Sequence, residues 1–222
     1  MTILAVESSS GVAGVALLKE DILVYEEYID HGLTHSELLL PMIERALAHT
    51  DGISGVDRFA VDIGPGSFTG IRIGVCAVNA LAQASNKPVF CASSLEILAA
   101  QWPYFGLVCA ICDARGEQIY GALYNTGQGV LKEIIAPCAT QIDEMLEQLP
   151  FGGILFTGDG AIAHQERISE RLGAHAQFAP PHLARVRASA LAVRALTGVC
   201  VEQAEPLYLR IPLAERNAAH AH

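Results

Sequence analysis

The chain lacks several things, and each absence narrows what it can be. No run approaches the roughly 20 consecutive apolar residues of a membrane-spanning helix, although hydrophobic residues fill 51% of its 222 positions. Positive charge is scarce: 14 Lys and Arg stand against 24 Asp and Glu, a formal net charge of −10. A surface of that sign repels phosphate backbones, so any RNA-related role would need a partner that supplies positive surface. Charged residues of both signs reach only 17%, too few for a generally disordered chain. The opening Met1-Thr2-Ile3-Leu4-Ala5-Val6-Glu7 has no basic segment and reads directly as a strand, not as a secretory leader. Six cysteines (76, 91, 109, 112, 138 and 200) are scattered through apolar contexts, which suits reduced thiols in a cytoplasmic core. Cys109-x-x-Cys112 lies inside a strand pattern rather than at the helix start a redox pair uses.

What is present is organised around Asp62-Ile63-Gly64-Pro65-Gly66-Ser67-Phe68-Thr69-Gly70-Ile71-Arg72-Ile73-Gly74. Phe59-Ala60-Val61 reads as the end of a buried strand, and Ser67 to Ala84 as one long helix stopped by Ser85-Asn86-Lys87-Pro88. A strand that turns through glycines into a helix exposes free N–H groups able to hold a phosphate or carboxylate. Gly64, Gly66 and Ser67 are therefore a candidate phosphate-binding turn. The spacing fits neither G-x-G-x-x-G nor the Walker pattern, which needs a Lys that is missing here. The competing reading is a tight turn with a Ser cap. On the helix, Thr69, Arg72, Cys76, Asn79 and Gln83 form one narrow stripe at three- and four-residue steps, and nearly all else is apolar. A helix so apolar around its circumference is covered on more than one side. Gly70 and Gly74, four apart, would let another backbone approach, either its own sheet or a partner.

The first strands read as an antiparallel meander over 3–6, 12–18 and 22–29, with Glu7 where the first strand enters a polar turn. Thr34-His35-Ser36-Glu37 fits a capping box opening a helix to about His49, and Pro41 predicts a kink or a later start. His31 and His35 have metal-like spacing, but Gly32-Leu33 makes their segment a loop. Trp102-Pro103-Tyr104-Phe105-Gly106 marks a boundary, after which the grammar repeats. Strands over 107–112, 118–124 and 130–136 are followed by a helix over 140–149, a strand over 153–157 and a glycine turn, Gly158-Asp159-Gly160, that opens a further helix from about Ile162. Glu7 then matches Asp113, and Gly64-Pro65-Gly66 matches Gly158-Asp159-Gly160. A β-β-β-α-β-α unit occurs twice, the second eroded, with a helix over 185–196 and a closing segment over 206–210. The expected division is 1–103, 104–214 and a flexible tail, 215–222.

This α/β duplication resembles the actin-like ATPase superfamily. Within it, Leu4-Ala5-Val6-Glu7-Ser8-Ser9, His35-Ser36-Glu37-Leu38-Leu39, the Gly64–Gly74 motif, Ser94-Leu95-Glu96 and Pro206-Leu207-Tyr208-Leu209-Arg210 are similar to the TsaB (YeaZ) family. The resemblance covers the whole chain. It implies a cytoplasmic, non-catalytic subunit that pairs with and activates the paralogue TsaD for threonylcarbamoyl modification of the adenosine beside the anticodon of tRNA. It also implies that the ATPase TsaE joins the pair, that a homodimer forms when TsaD is absent, and that tRNA is contacted only indirectly. The implied partner surface draws on His35, Leu39, Met42, Thr69, Arg72, Cys76 and Asn79. No cofactor, metal or catalytic residue is expected: the paralogue's His-x-x-x-His pair is replaced by Ser94 and Leu98, whose side chains cannot hold a transition metal. The alternative is an actin-like kinase or ATPase using Glu7, Ser67 and Asp113. A metallopeptidase is disfavoured by the same missing histidines.

Overall fold

The computed structural model describes residues 1–30 and 35–210. The elements are β1 (Thr2–Glu7), β2 (Val12–Lys19), β3 (Ile22–Asp30), α1 (His35–Leu47), β4 (Arg58–Asp62), α2 (Phe68–Ser85), β5 (Val89–Ala92) and α3 (Ser94–Ala100). They continue as β6 (Leu107–Asp113), β7 (Gln118–Asn125), β8 (Lys132–Gln141), α4 (Ile142–Gln148), β9 (Ile154–Thr157), α5 (Asp159–Ala163), α6 (Gln165–Leu172), β10 (Ala176–Phe178), α7 (Ala188–Arg194) and β11 (Cys200–Val201).

Two mixed sheets form, in the orders β11-β5-β4-β1-β2-β3 and β10-β9-β6-β7-β8. Removing β11 leaves the same arrangement twice, 3-2-1-4-5, with the first three strands antiparallel and the crossovers parallel. The duplication read from the strand and glycine pattern is therefore a duplication of architecture. Glu7 and Asp113 end the two central strands, β1 and β6. The erosion of the second copy is also visible: α4 has 7 residues where α1 has 13, and α5 and α6 replace the single 18-residue α2.

Local boundaries differ from the sequence reading in several places. Helix α1 starts at His35 and continues through Pro41, whose side lies exposed, so the missing N–H falls where water can reach the freed carbonyl. The capping box lies partly outside the described residues, as does His31 of the histidine pair. β8 extends to Gln141 and α4 begins only at Ile142, because β8 keeps pairing with β7 up to Gln118–Gln141. The short strands β10 and β11 carry too little periodicity to be read from sequence.

Three clusters make the interior. One lies under α1 and α2 on the first sheet, and one under α4 to α6 on the second. The third joins the halves: Ile3, Ala5 and Ala16 of the first sheet meet Val108, Ala110 and Ala122 of the second through α3 and α7. Helix α7 is tied to β3 by Arg187 and Ser189, which both donate to the Glu26 carboxylate, and to α3 by Arg194 on Glu96. The chain thus returns to its first half: β11 pairs with β5, and the Leu207 N–H donates to the Ile63 carbonyl. Cys109 and Cys112 fall in clusters on opposite faces of β6, and all six cysteines are free thiols.

Candidate functional site

Two features stand at the C-terminal ends of β1 and β4, where the superfamily reading puts chemistry. The first is a pair of carboxyls, Glu7 and Asp62, both with no solvent exposure. The Ser9 hydroxyl bridges them, 2.7 Å from Asp62 Oδ2 and 3.2 Å from Glu7 Oε1. Ser10 Oγ donates to Glu7 Oε1 at 3.0 Å and the Ser9 N–H to Oε2 at 2.9 Å. Asp62 Oδ1 accepts from the Gly64 N–H and from Ser94 Oγ, both at 2.8 Å. Burial, and next the charge of Asp62, push the Glu7 carboxyl well above its ordinary value. Burial raises Asp62 as well, but hydrogen bonds from Ser9, Gly64 and Ser94 favour its charged form. Both carboxyls are thus raised, Glu7 the more strongly. Ser94, expected to replace a metal-binding histidine, spends its hydroxyl on Asp62. Among the described residues no group of His, Cys, Asp and Glu has metal-ligating geometry.

The second feature is the glycine turn and α2. Ser67 caps the helix by accepting from the Gly70 N–H at 3.3 Å. The Ser67 N–H, one candidate anion donor, donates instead to the Ser9 carbonyl at 2.5 Å. A Cβ on Gly66 would lie 2.0 Å from that same carbonyl, and one on Gly64 would lie 3.1 Å from the Leu207 carbonyl. The turn is thus packed between the β1–β2 turn and the closing segment. Gly70 and Gly74 serve the same contact, since added Cβ atoms would meet the Ser8 carbonyl at 2.0 Å and Ser8 Oγ at 2.3 Å. The close approach foreseen for this glycine pair is made by the chain's own Ser8, with its carbonyl at Gly70 and its hydroxyl at Gly74. In the second half, Gly158 and Gly160 likewise pack on the β6 backbone at Ile111 and Cys112. Asp113 is exposed, its N–H bonded to Asp159, and does not join the Glu7–Asp62 pair.

The surface residues divide sharply. Thr69, Arg72 and Cys76 are exposed on one face of α2 and are joined there by Ala80, Gln83 and Ala84, with Ile73 and Ala77 half-buried at its margin. Asn79 is half-buried and turned to the closing segment, donating to the Ala204 carbonyl at 3.0 Å and accepting from its N–H at 2.8 Å. Leu39 and Met42 are 1% and 0% exposed and lie in the core beneath α1 and α2. They cannot present side chains to a partner, because the wide apolar face of α1 covers β2 rather than solvent. Leu40, between them on the apolar run of α1, is 56% exposed. The side chain of His35 lies outside the described residues. Sequence reasoning missed Phe68 and Tyr208, whose rings stack at 4.9 Å beside Arg72; the Phe68 and Arg72 spacing of four was the available signal.

Comparison with known proteins decides the family. Residues 32–217 match the family profile described as TsaD: tRNA N6-adenosine threonylcarbamoyltransferase. The tRNA threonylcarbamoyladenosine biosynthesis protein TsaB of Bacillus subtilis is 35% identical over 177 residues, 78% of this chain and 77% of its own. The chain belongs to the TsaB family and carries the TsaD-type domain. TsaB of Haemophilus influenzae is 26% identical over 95% of this chain and 94% of its own. The solved structure of YeaZ from Pseudomonas aeruginosa superposes with a TM-score of 0.78 at 30% identity, covering 94% of this chain and 99% of that one. Another solved chain, EutJ from Carboxydothermus hydrogenoformans, shares the fold alone, at 12% identity and a TM-score of 0.51. The duplicated sheets of this TsaB-family chain are the actin-like ATPase architecture. No helix among the described residues is long and apolar enough to cross a membrane.

Proposed function

We propose that this TsaB-family chain acts in tRNA threonylcarbamoyladenosine synthesis as a non-catalytic subunit that docks on and activates TsaD. The observation that carries the reading is the contrast between the two features above. Where an actin-like enzyme would bind phosphate and metal, Glu7 and Asp62 are fully buried and the Ser67 N–H is already engaged by Ser9. Meanwhile α2 turns an exposed, mostly uncharged face to solvent, with Cys76, Ala80 and Ala84 exposed beside the single charge of Arg72. A surface of small apolar groups with one cation is the composition of an interface core rather than of a solvated helix.

On this reading residues 1–103 carry the docking surface and the second half, over 104–214, supports it. A second copy takes the same face when TsaD is absent, TsaE joins the heterodimer, and tRNA is held by the partner, since this chain's net charge is −10. The test is light scattering after size-exclusion chromatography, alone and with TsaD from the same organism, coupled to a threonylcarbamoyl-transfer assay. The expected result is a one-to-one heterodimer and transfer only when both proteins are present. A monomer that ignores TsaD yet hydrolyses ATP with magnesium, losing that activity in Glu7→Ala, would overturn the proposal in favour of an actin-like enzyme.

A further inference from the structure

The surface of α2 is not built by α2 alone. The closing segment runs along it from Ala204, held by Asn79, to Leu207, whose N–H donates to Ile63 at 2.8 Å. It brings the Tyr208 ring onto Phe68, with centroids 4.9 Å apart. The Arg72 guanidinium lies over the Phe68 ring at 3.9 Å and its Nε donates to the Tyr208 hydroxyl at 3.0 Å. Two residues on, Arg210 donates to Gln118 and lies over Tyr120 of β7, which fixes the far end of the segment on the other half.

Arg72 is the single charged residue of α2. Arg45, Arg167, Arg171, Arg185, Arg187 and Arg194 each pair with a carboxylate. Arg72, like Arg58 and Arg210, has no carboxylate partner among the described residues: its Nε is used by a neutral phenol and its face by a ring, and the residue is exposed. In a chain with ten more acidic than basic residues, a guanidinium immobilised without an acid is a preorganised receptor for one. Ring stacking and the phenol fix the side chain beforehand, so little rotamer entropy remains to be lost on binding.

We propose that Phe68, Arg72 and Tyr208 form a carboxylate anchor at which an Asp or Glu of the TsaD-type partner binds, with the closing segment a working part of the docking surface. This rests on the docking reading above and names the group recognised. An acid set in apolar surroundings on the partner complements both the lone cation and the uncharged face around it.

The test measures affinity for TsaD by titration calorimetry at two salt concentrations, for the native chain, Arg72→Gln, Tyr208→Phe and Ala80→Trp. The anchor requires at least a tenfold loss in Arg72→Gln with a shallower salt dependence. It also requires a smaller loss, roughly two- to fivefold, in Tyr208→Phe, where the ring stack survives and only the phenol's hold on Nε is gone. Unchanged affinity in Arg72→Gln, with binding abolished by the Ala80→Trp wedge, would overturn the anchor and leave the docking face standing. Binding unaffected by Ala80→Trp as well would overturn the docking face itself. Dissolution of a homodimer by Arg72→Gln with TsaD affinity intact would overturn the choice of partner.

Discussion

Replacing Met42 by Ala separates the core from the docking surface. By residue type and helix position Met42 belongs with a partner-facing stripe, yet it is 0% exposed and packs with Leu39, Ile43 and Val75 in the cluster between α1, α2 and the first sheet. Truncation to Ala removes the three heavy atoms beyond Cβ from a site with no access to water and leaves a cavity. Such changes cost about 2–5 kcal/mol, because surrounding structure relaxes only in part. For a chain of this length each kcal/mol is worth roughly 2–4 °C in Tm, so a central cost of about 3 kcal/mol lowers Tm by roughly 6–12 °C. Differential scanning calorimetry gives the shift, and TsaD affinity is measured at 15 °C, well below either transition. The expected outcome is a large fall in Tm with affinity unchanged within about twofold. An unchanged Tm together with lost binding would place Met42 at the interface and refute the assignment of α1's apolar face to the core.

Three other perturbations test separate parts of the structure. Glu7→Gln keeps the shape and removes the titration: because the folded value of Glu7 is raised above its ordinary 4.5, its contribution is fully present below about that pH and is lost as pH rises through the folded value. The variant's advantage in Tm should therefore grow from pH 5 upwards, and a constant difference between pH 5 and 9 would contradict a raised Glu7 carboxyl. Gly70→Ala gains helix propensity of about 1 kcal/mol but sets a Cβ 2.0 Å from the Ser8 carbonyl; a net loss in urea midpoint is expected, and a gain would show that the β1–β2 turn does not press on α2. Asn79→Ala leaves Ala204 without both of its side-chain partners, costing about 1–3 kcal/mol; amide exchange over 204–208 should quicken, and unchanged protection there would mean the closing segment is held by other contacts.

The amino-acid sequence by itself determined the repeat. Strand periodicities of two, helix periodicities near 3.6 and glycine turns at matching places are local properties, and they were enough to give two β-β-β-α-β-α units and the equivalence of Glu7 with Asp113. It also determined α2, whose Ser67 cap and Asn86 stop depend only on neighbours along the chain. What covers what was decided in three dimensions. The apolar faces of α1 and α2 look alike in a sequence, since core and interface are made of the same residue types. Only packing sends Leu39 and Met42 inward, leaves Arg72 and Cys76 outside, and presses Ser8 and Ser9 into the turn that otherwise reads as an anion cradle. The contacts that settle these questions join residues far apart, such as Ser94 with Asp62, Ala204 with Asn79 and Tyr208 with Arg72. No local pattern encodes such pairs, because their formation depends on the closure of the whole chain around one shared core.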